Sequence, residues 1–443
     1  MFLGSVAIVG RPNVGKSTLF NRLVGFKKAI ISDIPGTTRD RLCGEVHWLE
    51  NNFFIIDTGG IENDNIPFQK QIRRQVKIAI DEADIILFVV DGKEGITSED
   101  KKIIKMIFKS NKEIFLIVNK IDNVNEMGNI NDFYSLGITP MAISSIHGIG
   151  MGDLLEKIIN SLKKKNKKIN FDNNAIRLSI IGRQNVGKST LLNTLTGKEN
   201  VIVSDIPGTT RDAVDTMFTF NNKKYIVIDT AGLKKRGKIS EKLDKFSSFK
   251  TFQAIARSEI VLLVLDISEG IVEQDKHIAG YAVENPKAVI IIVNKCDIKK
   301  DVDLNSFSNE IRLKFKFLHF ANIVFISALK KNNINKIFSE IDIAYKNFHK
   351  KIDQKDLNEI IDNISKYNEP PSFHGGRIKI FSIKQINSSP IFNLYVNNFN
   401  FMHFSYMRYI ENGIRKSFSF DNVMIKIFLK NGKSERNIEN IKV

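Results

Sequence analysis

A chain of 443 residues is longer than one hydrophobic core serves and suits about three domains. Its 42% hydrophobic and 26% charged residues are the proportions of a folded globular protein, which excludes wholesale disorder, a collagen-like repeat and a membrane class. Lys and Arg number 66 against 49 Asp and Glu, and the resulting +17 favours a polyanionic partner such as RNA or anionic lipid, or else reflects a chain-wide drift towards Lys, Asn and Ile.

The segment Met1 to Gly10 reads as a strand, Ser5 to Val9, running into a loop and not as an export leader. That loop, Gly10-Arg11-Pro12-Asn13-Val14-Gly15-Lys16-Ser17, has the spacing that wraps backbone N–H groups around phosphate oxygens ahead of a helix N-terminus. Further apolar runs follow at Phe53 to Ile56, Ile85 to Val90, Ile114 to Val118 and Met141 to Ile143, alternating with helical patterns. Such alternation predicts βαβ units around a buried parallel sheet. No run approaches the roughly 20 residues of a membrane-spanning helix.

The same programme then repeats. Gly182-Arg183-Gln184-Asn185-Val186-Gly187-Lys188-Ser189 is a second phosphate loop, set among runs at Leu178 to Ile181, Tyr225 to Ile228, Ile260 to Leu265, Ala288 to Val293 and Ile323 to Ile326. Pro35 to Asp40 returns as Pro207 to Asp212, and Asp57-Thr58-Gly59-Gly60 as Asp229-Thr230-Ala231-Gly232, both at the offset that separates the phosphate loops. Asn119-Lys120-Ile121-Asp122 returns as Asn294-Lys295-Cys296-Asp297 at a slightly larger offset. Between the copies, residues 163–174 are crowded with lysine and read as a flexible linker, with an RNA-touching strap as the other reading. From about residue 350 the pattern changes to a helix, strands Arg377 to Gln385 and Ile391 to Asn397, a helix Met402 to Ser417 and a strand Met424 to Lys430, with an excess of basic residues suited to nucleic acid.

Each motif follows an apolar run, so the motifs should converge at the carboxyl end of one sheet per copy. Lys16 and Lys188 suit the β and γ phosphates. Ser17 and Ser189 offer a hydroxyl to Mg²⁺, Asp57 and Asp229 a carboxylate reaching it through water, and Thr38 and Thr210, in preference to Thr37 and Thr209, an oxygen from a mobile loop. Gly60 and Gly232 leave room for a backbone N–H to meet the γ-phosphate. Asp122 and Asp297 can accept from guanine N1–H and N2–H₂ together, which adenine cannot supply, so GTP is favoured over ATP. Asn119, Lys120, Ser144 and Ser145, and Asn294, Lys295, Ser327 and Ala328, complete the base-side loops. Where a water-positioning glutamine would stand, the chain has Ile61 and Leu233, so slow intrinsic turnover is expected. A scaffold that uses guanine nucleotides structurally is the alternative. Cys43 and Cys296 have no metal-ligand or disulfide spacing, as in a reducing cytoplasm.

Two complete motif sets, Lys234-Lys235-Arg236-Gly237-Lys238, Pro370-Pro371 with Gly375 to Ile380, and Tyr406 to Asn412 together resemble the bacterial tandem GTPase family Der, also called EngA, over nearly the whole chain. The resemblance implies an α/β fold of two P-loop GTPase domains with mostly parallel doubly wound sheets, residues 1–162 and 175–349, followed by a small α+β KH-like domain, 350–443. It further implies a cytoplasmic, monomeric enzyme that hydrolyses GTP and binds the large ribosomal subunit and its rRNA during assembly, with no membrane partner. Asn13 and Asn185 would then hold a potassium ion in place of the glutamine's role. Two features depart from the family: the linker is basic where the family's is commonly acidic, and no Gly-x-x-Gly clamp occurs after residue 350. Phe399, Phe401, Phe404, Tyr406 and Tyr409 are candidates for stacking bases, although Met407, Ile410 and Ile414 at helical spacing read as core.

Overall fold

The computed structural model describes residues 2–25, 43–49, 51–58, 73, 76–77, 79–80, 83–167, 175–197, 202–205, 215–228, 244–284, 286–298, 303–387 and 389–432. They fall into two compact units that divide between residues 173 and 174.

In the first unit β1 (Phe2–Val9), β3 (Asn51–Asp57), β4 (Ile85–Asp91), β5 (Glu113–Asn119) and β6 (Pro140–Ala142) run parallel, and β2 (Cys43–Trp48) closes one edge antiparallel to β3. The sheet order is β2-β3-β1-β4-β5-β6. Every residue of β4 is buried, as expected of a strand covered on both faces. Helices α1 (Lys16–Val24), α2 (Ser98–Phe108) and α3 (Met151–Lys167) belong to this unit, and Leu19, Leu23, Leu155, Ile158 and Leu162 fill its core. Helix α3 continues through Lys163, Lys164 and Lys165, so the first part of the expected linker is helical. The Lys165 ammonium folds back onto the Asp84 carbonyl, which anchors this last turn; residues 168–174 lie outside the described residues.

The second unit repeats the arrangement with β7 (Ile176–Ile181), β8 (Ile202–Asp205), β9 (Thr216–Phe220), β10 (Lys223–Val227), β11 (Ile260–Asp266), β12 (Ala288–Asn294) and β13 (Ile323–Phe325), in the order β13-β12-β11-β7-β10-β9-β8. Its helices are α4 (Lys188–Thr196), α5 (Asp244–Arg257), α6 (Glu273–Glu284), α7 (Leu304–Lys314) and α8 (Ile334–Phe348). The C-terminal part adds α9 (Gln354–Tyr367), a short hairpin of β14 (Ser372–Phe373) and β15 (Gly376–Arg377), a sheet of β16 (Ile380–Gln385), β17 (Ile391–Val396) and β18 (Lys426–Asn431), and α10 (Phe404–Phe418). Strand β17 pairs antiparallel with β16 and parallel with β18.

One continuous core joins the C-terminal sheet and helices to the second GTPase-like sheet, taking in Ile290, Ile341, Ile361, Ile410 and Val423. Main-chain bonds fasten the same join: Val289 N–H donates to the Asn422 carbonyl at 2.7 Å, Asn422 N–H to Phe320 at 2.9 Å, and Met424 N–H to Lys287 at 3.2 Å. The Asn422 side chain, fully buried, accepts from Asn322 N–H at 2.7 Å and donates to Glu340 Oε2 at 2.6 Å.

Candidate functional site

Both phosphate loops leave the end of a central strand and enter a helix whose N-cap is glycine. Gly15 and Gly187 have φ of 91° and 95°, and a Cβ on either would lie 2.3 Å from the side-chain amide nitrogen of Asn119 or Asn294. Neither α1 nor α4 has a side-chain cap at its N-cap glycine or an acidic residue in its first turn, so no charge of its own first turn opposes its positive dipole end. By contrast, α2 carries a full capping box in which Thr97 and Asp100 satisfy each other's backbone N–H. Asn13 and Asn185 stand exposed with φ of 63° each, a left-handed turn that asparagine tolerates, while Val14 and Val186 are buried. Pro12 is half-buried, and Gln184 is exposed.

Lys16 donates to the Arg11 carbonyl at 2.8 Å, and Lys188 to the Gly182 carbonyl at 2.7 Å and to that of Arg183. Each ammonium thus lies inside the curl of its own loop. Ser17 donates to Asp57 Oδ2 at 2.9 Å, which sets a hydroxyl beside a carboxylate as an all-oxygen pair suited to a hard cation. Thr58 instead donates to the Ile8 carbonyl at 2.5 Å and so ties β3 to β1. Gly59, Gly60, Ile61, Thr37, Thr38, Thr209, Thr210, Asp229, Thr230, Ala231, Gly232 and Leu233 lie outside the described residues.

At the Asn-Lys-x-Asp segments, strand register levels Asp91 with Asn119 and Asp266 with Asn294. Asn119 turns inward: its amide donates to the Val14 carbonyl at 2.8 Å, and its carbonyl accepts from Ser145 N–H at 3.0 Å and Ser145 Oγ at 2.9 Å. Asn294 does the same with Val186 at 2.9 Å and Ala328 N–H at 2.9 Å. The asparagines therefore staple the phosphate loop to the Ser144-Ser145 and Ser327-Ala328 turns, and the rim is left to Lys120, Asp122, Lys295 and Asp297. Lys120 and Lys295, at φ of 70° and 68°, pair with Asp91 and Asp266 at 2.6 and 2.5 Å. Burial pushes both aspartates up, but the lysine and the amides of the following turn more than offset it and hold each below the usual carboxylate range. Ile121 is buried and Cys296 half-buried, their N–H groups donating to Ile143 and Ile326; burial raises the Cys296 thiol.

Sequence reasoning named Arg11 and Arg183 as loop residues but missed their acidic partners and several other members of these clusters. Asp91 and Asp266 end strands at equivalent places in both copies, a signal that comparison of the repeats carries. Arg11 spans from the phosphate loop to Glu94 at 2.8 Å and to buried Asp100 at 3.5 Å; Arg183 repeats this with Glu269 and, at 3.3 Å, Asp275. Arg22 donates to the Ser145 carbonyl at 3.0 Å, where Thr194 in the other copy reaches Ala328 at 2.8 Å.

Comparison with known proteins matches this duplicated layout. A family described as 50S ribosome-binding GTPase matches residues 5–120 and again 177–295, and one described as the KH-domain-like of EngA bacterial GTPase enzymes, C-terminal, matches 351–430. The chain is similar to a GTPase Der of Staphylococcus carnosus (strain TM300), 48% identical over 95% of this chain and 98% of that one. It is also similar to a GTPase Der of Macrococcus caseolyticus (strain JCSC5402), 46% identical over 96% and 98%. Among solved structures, the FeoB G-domain from Methanococcus jannaschii is 23% identical, covers 37% of this chain and 99% of its own, and has a TM-score of 0.28.

Proposed function

The chain belongs to the GTPase Der family, and from that premise we propose that it is a cytoplasmic, monomeric switch enzyme acting in assembly of the large ribosomal subunit, with two guanine-nucleotide sites that govern domain arrangement and rRNA binding. GTP binding and hydrolysis come with the family. The observation that carries the two-site reading is the pair of helices, α1 and α4, that start from a glycine with no side-chain cap and no acidic first turn, and turn their positive dipole ends to a loop already holding a lysine ammonium.

We assign Lys16 and Lys188 to the β and γ phosphates, and Ser17, Thr38 and Asp57, with Ser189, Thr210 and Asp229, to Mg²⁺. The bonded Ser17 and Asp57 pair fits that ion's demand for oxygen donors. When bound, Mg²⁺ neutralises charge on the phosphate oxygens. Gly60 and Gly232 supply backbone N–H groups to the γ-phosphate, and Asp122 and Asp297 select guanine. With Ile61 and Leu233 unable to orient water, hydrolysis depends on a potassium ion at Asn13 and Asn185 or on the ribosomal partner.

The C-terminal domain offers a surface for single-stranded RNA. Phe404 is 66% exposed, lies 4.4 Å from the His403 ring, and carries the Arg408 guanidinium 5.6 Å from its centroid. Stacking on such a platform needs no Gly-x-x-Gly clamp. Sedimentation with ribosomal subunits under GTP, GDP and a non-hydrolysable analogue tests the reading. Nucleotide-dependent co-migration with the large subunit is expected, and no co-migration in any state refutes it.

A further inference from the structure

The two base-side rims are not copies of one another. In the first, the Asp122 carboxylate is gripped on both oxygens: Ser144 Oγ donates to Oδ1 at 2.7 Å and the Lys93 ammonium to Oδ2 at 2.6 Å. Glu126 completes the arrangement, accepting from the Asp122 N–H at 2.8 Å and lying 3.8 Å from the same ammonium. Lys93 is aimed by its turn, whose N–H groups at Lys93 and Glu94 donate to Asp91 Oδ1 at 2.9 and 3.3 Å. At the equivalent place after β11 stands Ser268, which turns back on its own strand end, donating to Asp266 Oδ1 from N–H at 2.8 Å and from Oγ at 2.5 Å. Ser327 Oγ accepts from Lys330 N–H at 3.0 Å, as Ser144 Oγ does from His147 N–H at 3.1 Å, but among the described residues no hydrogen bond or ion pair holds the Asp297 carboxylate.

We propose that Lys93 is a positioning residue that presets the guanine-reading carboxylate of the first nucleotide site, and that the second site, lacking it, reads guanine with a looser carboxylate. The inference rests on the assignment of Asp122 to the base. A carboxylate has about four lone-pair positions, so one bond to each oxygen from Ser144 and Lys93 leaves two acceptors for guanine N1–H and N2–H₂. Fixing the rotamer beforehand removes the ordering cost otherwise met on binding. With the Lys93 side chain 49% and that of Asp122 22% exposed, the pair adds little to folding, so its effect falls on the ligand. Lys93 and Ser144 also hold the Asp122 carboxyl below the usual carboxylate range.

The test uses the full chain with its second site silenced by Lys188→Ala, titrated with fluorescent GDP and with IDP, which lacks the 2-amino donor. Lys93→Ser is expected to weaken GDP about fivefold, the scale of one exposed charge contact, and IDP less, so that the GDP-to-IDP ratio narrows. Lys93→Arg should restore the ratio, and the unfolding midpoint read from Trp48 should not move. GDP affinity that is unchanged or tighter in Lys93→Ser, while Asp122→Asn loses it, overturns the role of Lys93 alone. Unchanged affinity in Asp122→Asn removes the base-reading assignment together with the proposal.

Discussion

Asn119→Ala separates two roles for the asparagine of the Asn-Lys-x-Asp motif, reader of the base or staple of the loops. The side chain is 2% exposed and makes three bonds, to the Val14 carbonyl, the Ser145 N–H and the Ser145 hydroxyl. At about 1 kcal/mol net for each bond, truncation should cost the first unit about 3 kcal/mol with no nucleotide present, and more where the stranded Val14 and Ser145 groups stay dry. Asn294→Ala loses two such bonds and should cost the second unit about 2 kcal/mol. Trp48, the single tryptophan, packs against the core of the first unit, so its fluorescence during urea unfolding of the full chain reports that unit alone. A shift below about 1 kcal/mol in nucleotide-free protein, with guanine affinity nevertheless lost, would refute the staple argument.

Other expectations follow from the same geometry. Burial pushes Glu259 up, but its hydrogen bond to His349 and its pairing with Arg177 more than offset this and hold it below the ordinary 4.5. Its contribution to the second unit is therefore complete above that value and lost as pH falls through the lowered one; Glu259→Gln should flatten the acid limb of a stability-against-pH curve, and an unchanged limb contradicts this. GTP turnover should rise when sodium is replaced by potassium, and Asn13→Ala with Asn185→Ala should abolish the difference; a turnover indifferent to the cation excludes that role. Phe404→Ala with Arg408→Ala should weaken single-stranded RNA binding about tenfold in a filter-retention assay while the melting temperature holds. Equal binding by the double variant would move RNA to another surface.

The sequence carried the central strands and both phosphate loops because a buried parallel strand such as Ile85 to Asp91 or Ala288 to Asn294 must be apolar along its whole length. Edge strands escaped for a different reason: Cys43–Trp48 buries only Val46, and its alternation of Glu45, Val46, His47 and Trp48 is too short to stand out from a loop. The helical start of the lysine-rich stretch was hidden by its charge, since Ser161 and Leu162 are the last buried residues before an exposed turn that a lysine-to-carbonyl bond secures. At the candidate site, residue types and spacing identified the loops, but not that Asn119 faces inward or that Arg11 crosses to Asp100. Both depend on side-chain direction, which strand register and a left-handed glycine decide. In α10 the helical spacing pointed to Met407, Ile410 and Ile414 as core; Ile410 and Ile414 are buried, but Met407 is only half-buried and Tyr406, a stacking candidate, is buried in its place, while Phe404 stays outside.

The bonds at Asn422 bear on how this chain can be divided in the laboratory. Cutting at residue 350 would strip the partner from the Val289 amide, open Glu340 and Asn322, and bare apolar side chains along α8, so a fragment ending there would carry a raw edge beside a greasy face and tend to self-associate. The fragment that respects the molecule begins near residue 174 and keeps everything beyond it.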